Sequence, residues 1–369
     1  MYGRNLRVAE ALRRAGWEVT ECHVDPRNAE PDWLHGRRGL VGLARMALAT
    51  ASRWGELARR HGRTRYDVLL VGYPAHLDVI PASLLARWRD RPVVMDAFMG
   101  LHETAVRDRE LVAPTSVAAR ALAFVERGLM RLPDAVLMDT PEHAHALAHE
   151  LGLPESRVAA VPIGADEALW RTTPLPPPPF RALIWGTFIP LHGMPVVARA
   201  AAALDALAPD AVIEVIGDGQ TAPAFDAELQ RLRPRCLRWT RRLLPPAEIA
   251  ERLAHAHCAL GIFGAGDKTA QVIPYKVHEA LCAGRPVVTA DTPAARRVLR
   301  DDRESLLVAP ADADALAAAL AQLARDPARC ARLAQSARAT YESSLGLDAM
   351  ARALDAALRP YASRRASAR

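Results

Sequence analysis

The run FGAGDKTAQVIPYKVHEALCAGRPVV, residues Phe263 to Val288, decides how the chain is read. It starts where the apolar strand Cys258 to Phe263 gives way to glycines, and it ends on a second apolar run, Pro286 to Thr289. A helix is predicted between them. Pro274 suits its first turn, where a missing N–H costs nothing, and Gly284 suits the position just past its last turn. Strand, loop, helix, turn, strand is a βαβ unit, and its loop lies at the C-terminal end of the strand, where open parallel sheets receive ligands. The segment Val272, Ile273, Pro274, Tyr275, Lys276 is expected to present backbone N–H groups from the helix N-terminus to an anion such as a diphosphate. Glu279 follows one turn into the helix, on a face that still looks toward that site.

Among 48 basic residues only Lys268 and Lys276 are lysines, and both lie in this run. Elsewhere the chain uses arginine, a planar fork where lysine is a compact point charge. The two lysines are therefore candidates for contact with an anionic ligand; the other reading is a solvated surface loop.

The same residues carry a family resemblance. Glu279, Ala280, Gly284, Pro286, Val287 and Val288 resemble the second half of the signature of glycosyltransferase family 4, retaining enzymes of the GT-B fold that use nucleotide-sugar donors. That signature has two glutamates separated by seven residues, and its first glutamate falls on Gln271. The spacing Ile273 to Lys276 and the later TADTPAARRVL are similar to a bacterial subgroup in which the first position varies.

A chain of 369 residues has room for two domains, and half of its residues are hydrophobic. Cys22, Cys236, Cys258, Cys282 and Cys330 have no paired spacing, which argues against a zinc site or a disulfide framework and fits a reducing cytoplasm. No apolar stretch approaches the roughly 20 residues that span a bilayer, and the N-terminus shows no signal-peptide pattern. Net charge +6 admits nucleoside diphosphates or acidic lipid as partners. Nucleic acid is disfavoured, because aromatic residues make up only 5% of the chain and no nucleic-acid motif is present.

The chain begins with helical spacing, Arg4 to Ala15, closed by Gly16, and Trp17 to Val24 then alternates like a strand. The resemblance implies a central strand and a glycine-rich loop before that helix. Met1, Tyr2 and Gly3 stand where such a loop ends, so either the first strand lies upstream of Met1 or the sheet lacks a central member; the first is favoured, because a missing inner strand would leave its neighbours' backbone groups and apolar faces uncovered. Leu34 to Arg65 is basic and amphipathic, suited either to packing on the sheet or to lying on an anionic membrane surface at the inner face of the membrane. Tyr66 to Tyr73, Pro92 to Ala97 and Ala135 to Asp139 are buried-type strands. Family members carry a histidine after the second of these, close to the donor sugar; Phe98 holds that place here, and His102 is the candidate substitute. His143, His145 and His149 follow on a helix read as polar and surface-facing; His145 and His149 share a face, but no third metal ligand is visible. Gly164 and Asp166 match the residues that close the N-terminal domain.

Thr172 to Phe180, TTPLPPPPF, is a stiff linker. Strand Ala182 to Trp185, loop Gly186 to Gly193, helix Met194 to Leu207 and strand Ala211 to Ile216 are predicted beyond it. The family's diphosphate-binding arginine and lysine in that loop are replaced by Thr187 and His192, which throws the need for positive charge onto Lys268, Lys276 or His192. Gly217 and Gly219, in IGDGQ, resemble the turn on which the nucleotide lies. Trp239, Thr240 and Arg241 occupy the place where members bind the base edge. The expected division is an α/β GT-B architecture: an acceptor-binding domain over 1–171, the linker over 172–180, a donor-binding domain over 181–345, and a helix and tail over 346–369 that cross back.

The function so implied is retaining transfer of a sugar, from a UDP-sugar by family habit, to a hydroxyl of an unidentified acceptor: a polyprenyl-linked sugar, a polysaccharide intermediate or a small natural product. No cofactor and no metal are expected. Lys268, Lys276 and the helix amides would stabilise the leaving diphosphate, Glu279 would accept from the ribose hydroxyls, and Gln271 would bind hydroxyls of the transferred sugar. A non-catalytic GT-B partner subunit and a sugar-nucleotide epimerase are the rival readings.

Overall fold

The computed structural model describes residues 3–23, 40–74 and 76–363. The first half runs α1 (Gly3–Arg14), α2 (Leu40–Arg63), β1 (Leu69–Val71), α3 (Val79–Trp88), β2 (Val93–Asp96), a π-helical turn Glu103–Asp108, α4 (Val117–Arg131), β3 (Ala135–Met138), α5 (Pro141–Leu151) and β4 (Val158–Ala160). The second half runs β5 (Arg181–Thr187), α6 (Met194–Leu207), β6 (Val212–Asp218), α7 (Ala222–Leu232), β7 (Leu237–Thr240), α8 (Pro246–Ala254), β8 (Cys258–Leu260), α9 (Asp267–Gln271), α10 (Tyr275–Cys282), β9 (Val287–Ala290), α11 (Pro293–Val298), β10 (Ser305–Val308), α12 (Ala313–Arg325), α13 (Pro327–Thr340) and α14 (Leu347–Ser363).

Each half is a parallel sheet covered by helices on both faces, as its short, unbroken apolar strands require. In the first, β1-β2-β3-β4 pair in that order. Met95 and Val136 point to the face carrying α3, α4 and α5, while Val94 and Leu137 point to the face carrying α1 and α14. The return of α14 onto α1 ties the C-terminus to the first half.

The four described strands pair without a gap, and half-buried β1 is one edge of the sheet. One expectation is corrected here. Residues 17–23 form no strand, and residue 24 lies outside the described residues. Their alternation is nonetheless physical: Trp17 and Val19 pack on the α1–α14 cluster and the Trp17 indole donates to Asp355 of α14 at 2.9 Å, so a helix, not a neighbouring strand, receives the apolar face.

The second sheet has the order β10-β9-β8-β5-β6-β7. From β5 the chain builds outward to β7, then returns to lay β8 on the other side of β5 and builds outward again. A crevice opens at such a reversal, beyond the C-terminal ends of β5 and β8. Arg285, fully buried behind it, donates to Thr173, Pro174, Leu253 and Ala254, which pins the start of the proline-rich linker to this half.

Candidate active site

Three loops meet at the reversal point, and close backbone approach fixes them. Gly193 (φ +66°) opens α6, and a Cβ there would lie 2.6 Å from the Phe263 carbonyl carbon in the loop after β8. At Gly217 (φ +146°) a Cβ would meet the Gly186 carbonyl oxygen at 2.0 Å. Only glycine permits both contacts. Trp239 closes the rear of the site, its indole donating to the Gly217 carbonyl at 2.9 Å and stacking on Phe188. Arg241 lies over that indole and pairs with Asp218. Gly219, Trp239, Thr240 and Arg241 thus surround one wall.

The segment expected to form one helix forms two. Residues 267–271 make α9, Val272 is extended, and Pro274 caps α10 from one position before its first turn. Val272 and Ile273 turn their side chains into an apolar pocket with Ile262, Val277 and Leu299. The Val277 amide bonds to the Pro274 carbonyl at 2.9 Å, leaving Lys276 at the helix mouth.

Lys276 is buried, and its Nζ has no hydrogen-bond partner among the described residues. It lies 3.7 Å from where a Cβ on Gly186 would stand, and the His192 ring lies 3.4 Å from the same point. Burial lowers the Lys276 ammonium to about 7 against the pull of Glu279. Burial likewise raises Glu279 to about 7, although the Trp185 indole donates to it at 3.1 Å. His192 is buried and held well below the ordinary imidazole value by burial, Lys276 and Arg109. It is a neutral ring, so it does not replace the charge missing at Thr187, which is exposed at the end of β5. Arg109, from the opposite domain, brings its guanidinium near His192 while paired with Asp108 at 3.4 Å, and its carbonyl accepts from the Gln220 side chain across the cleft.

Lys268 has a different fate. Its Nζ lies 2.6 Å from Glu103 Oε2 and 2.8 Å from His143 Nε2, both in the first domain. His143 Nε2 also reaches Glu103 at 2.8 Å, and Nδ1 reaches Asp139 at 2.6 Å. All four groups are buried. Burial alone would raise Glu103, but the His143 hydrogen bond and the Lys268 charge hold it at about 2. Burial and Lys268 depress His143, yet Asp139 and Glu103 win and raise it. His143 Nε2 and Lys268 Nζ thus converge on the same Glu103 oxygen, which holds two nitrogen donors from opposite sides of the cleft. Thr140, at the start of α5, donates to the Gln271 carbonyl, and Arg297 of α11 pairs with Glu142 at 2.6 Å. The two domains are joined along α5, α9 and α11.

His143 corrects the sequence reading of a surface helix: Thr140 caps α5, and that cap turns the ring inward onto Asp139. His145 and His149 are exposed as read, His145 beside Glu155. His102 turns to Glu150 at 3.1 Å instead of entering the cleft. Phe98 lies on the cleft wall against Tyr275, with Arg4, paired to Asp96, over its ring. Gln271 keeps a buried side-chain oxygen that has no partner among the described residues. Glu103 and Arg109 were missed altogether, since nothing local in their sequence separates them from ordinary surface charges.

Comparison with known proteins shows what this geometry is similar to. Residues 179–326 match the family of glycosyl transferases group 1. Among solved structures, sucrose-phosphate synthase from Thermosynechococcus elongatus superposes with a TM-score of 0.69 at 17% identity, over 96% of this chain and 91% of that one. HepE from Anabaena, solved with UDP-glucose, gives 0.63 at 15% identity over 85% and 82%. The chain therefore has the GT-B fold, and the glycosyl transferases group 1 match lies within its second half. No protein of curated function matches the chain by sequence.

Proposed function

We propose that the chain is a retaining, metal-independent glycosyltransferase that moves a sugar from a UDP-sugar to a hydroxyl of its acceptor. The observation that carries this reading is Lys276. A cation buried without a protein partner is costly, and here it stands at a helix N-terminus, at the sheet's reversal point, beside a glycine that leaves room for a ligand. A diphosphate would supply the missing partner.

In this reading the Lys276 ammonium and amide stabilise charge developing on the departing phosphate oxygen as its bond to the anomeric carbon breaks. Arg109 adds charge from across the cleft. The acceptor oxygen bonds to that carbon from the same face, and its proton passes to the leaving phosphate. Glu279, oriented by Trp185, accepts from the ribose hydroxyls, and the unpartnered Gln271 oxygen accepts from the transferred sugar. Lys268, already neutralised by Glu103, positions α9 instead of meeting phosphate. That HepE was solved with UDP-glucose favours uridine as the base.

Calorimetric titration of the chain with UDP, GDP and ADP, without metal, tests the reading. Saturable UDP binding that weakens on Lys276→Met is expected. Failure of all three nucleotides to bind the folded chain would favour a partner subunit that keeps the fold without its chemistry.

A further inference from the structure

Seven of the eleven large hydrophobic side chains that are exposed among the described residues lie between Leu77 and Val125, so they are concentrated, not scattered. On α3, Leu84 and Trp88 stand one turn apart and face outward, Trp88 80% exposed. On α4, Val117 and Phe124 share an outward face seven residues apart, Phe124 also 80% exposed. The two helices are consecutive crossovers of one parallel sheet and pack on the same face of it, so their outer surfaces are neighbours. Leu77 and Leu111 extend the patch to the loops beyond the C-terminal ends of β1 and β2, at the lip of the cleft.

The exposed charge on α3 and α4 themselves is one-sided, with exposed Asp90 and Glu110 only in the adjoining turns. Arg87 on α3 and Arg120, Arg127 and Arg131 on α4 are exposed and pair with no acid among the described residues. The one carboxylate of α4, Glu126, points inward and accepts from the Leu101 and His102 amides. On α2, by contrast, Arg53, Arg59 and Arg60 are all neutralised by Asp78 or Glu56. Bulky apolar side chains flanked by unpaired arginines match an anionic bilayer surface, whose acyl boundary takes the rings and whose headgroups take the guanidinium groups.

We infer that the α3–α4 face of the first domain docks on an anionic lipid surface, with the lip of the cleft at the headgroups. The inference does not depend on the transferase reading, because lipid binding and nucleotide binding are measured separately. The test is co-sedimentation of the full chain with phosphatidylcholine vesicles, with or without phosphatidylglycerol, at low and high salt. Binding is expected only to the anionic vesicles and should weaken with salt. The double variant Trp88→Ser/Phe124→Ser should bind roughly tenfold or more weakly, and Arg120→Gln/Arg127→Gln roughly fivefold more weakly per charge removed. UDP binding and thermal unfolding of the variants should match the parent, since all four side chains are exposed. Absence of vesicle binding, equal binding to neutral vesicles, or undiminished binding by both variants would overturn the inference. So would self-association in sedimentation velocity that both variants abolish while vesicles are ignored, because the face would then be a protein interface.

Discussion

Lys268 and Lys276 lie eight residues apart in one segment, are both buried, and are the only lysines of the chain. Lys268 ends in a ring of partners, with Glu103 and His143 from the other domain closing on its ammonium. Lys276 ends among a glycine, a neutral histidine and a carboxylate that burial has pushed up to about 7. The contrast separates two uses of a buried cation: a satisfied one fastens structure, and an unsatisfied one awaits a ligand.

The largest effect should break the first of these. Lys268→Met leaves buried Glu103 with His143 as its one remaining partner among the described residues, and thermal or urea unfolding should show a loss of about 3 kcal/mol. Adding Glu103→Gln should recover part of it. A Lys268→Met chain as stable as the parent would mean that the Lys268 bonds across the cleft contribute nothing.

Lys276→Met should do the reverse. Nucleotide-free stability should hold or rise, while UDP affinity falls by roughly 1.5–3 kcal/mol, the range for hydrogen bonds to charged groups. Glu279→Ala should cost affinity in the same range. Unchanged calorimetric binding in both variants would remove α10 from the site.

The pH dependence sharpens the comparison. Lys276 titrates at about 7 when folded and at an ordinary lysine value when unfolded, so between these the unfolded chain holds more protons and stability rises with pH. Glu279, raised to about 7, has the opposite sign below that value: stability falls as pH climbs from the ordinary carboxylate range toward 7. Nucleotide-free wild type should therefore gain stability relative to Lys276→Met from pH 7 to 10, as scanning calorimetry would show. Its UDP affinity should decline over the same interval, and the variant's should not. Glu103, held at about 2, contributes stability above its ordinary carboxylate value that disappears as pH falls toward 2.

The smallest effect belongs to His145. Exposed and remote from both lysines, His145→Ala should change stability and UDP binding by no more than about 0.5 kcal/mol.

What could be seen in the sequence was local. The helix expected at Met194 to Leu207 is found with those bounds, because Gly193 and Pro195 mark its start and apolar periodicity carries it through. The βαβ order of the second domain and the glycines of its tight loops were legible for the same reason. The joint between Lys268 and Glu103 was not, since 165 residues separate the partners and no periodicity reports on contact across a cleft. His143 was seen but placed outside, because its helix carries enough polar residues to hide one that points inward. The strand expected at Trp17 shows the converse: an alternating pattern proves a buried face without saying what buries it.

Arg285 bears on where the chain can be divided. Of its five hydrogen bonds, three go to Thr173 and Pro174, upstream of the prolines that look like the hinge. Trp170, further upstream, stacks on Trp185, and its carbonyl accepts from the Cys282 thiol. The seam between the two modules thus precedes the proline run. A second half excised at Phe180 would keep the guanidinium and lose most of its acceptors, whereas one begun before Leu169 would carry them all, and this is the cut to make when the half is to be expressed alone.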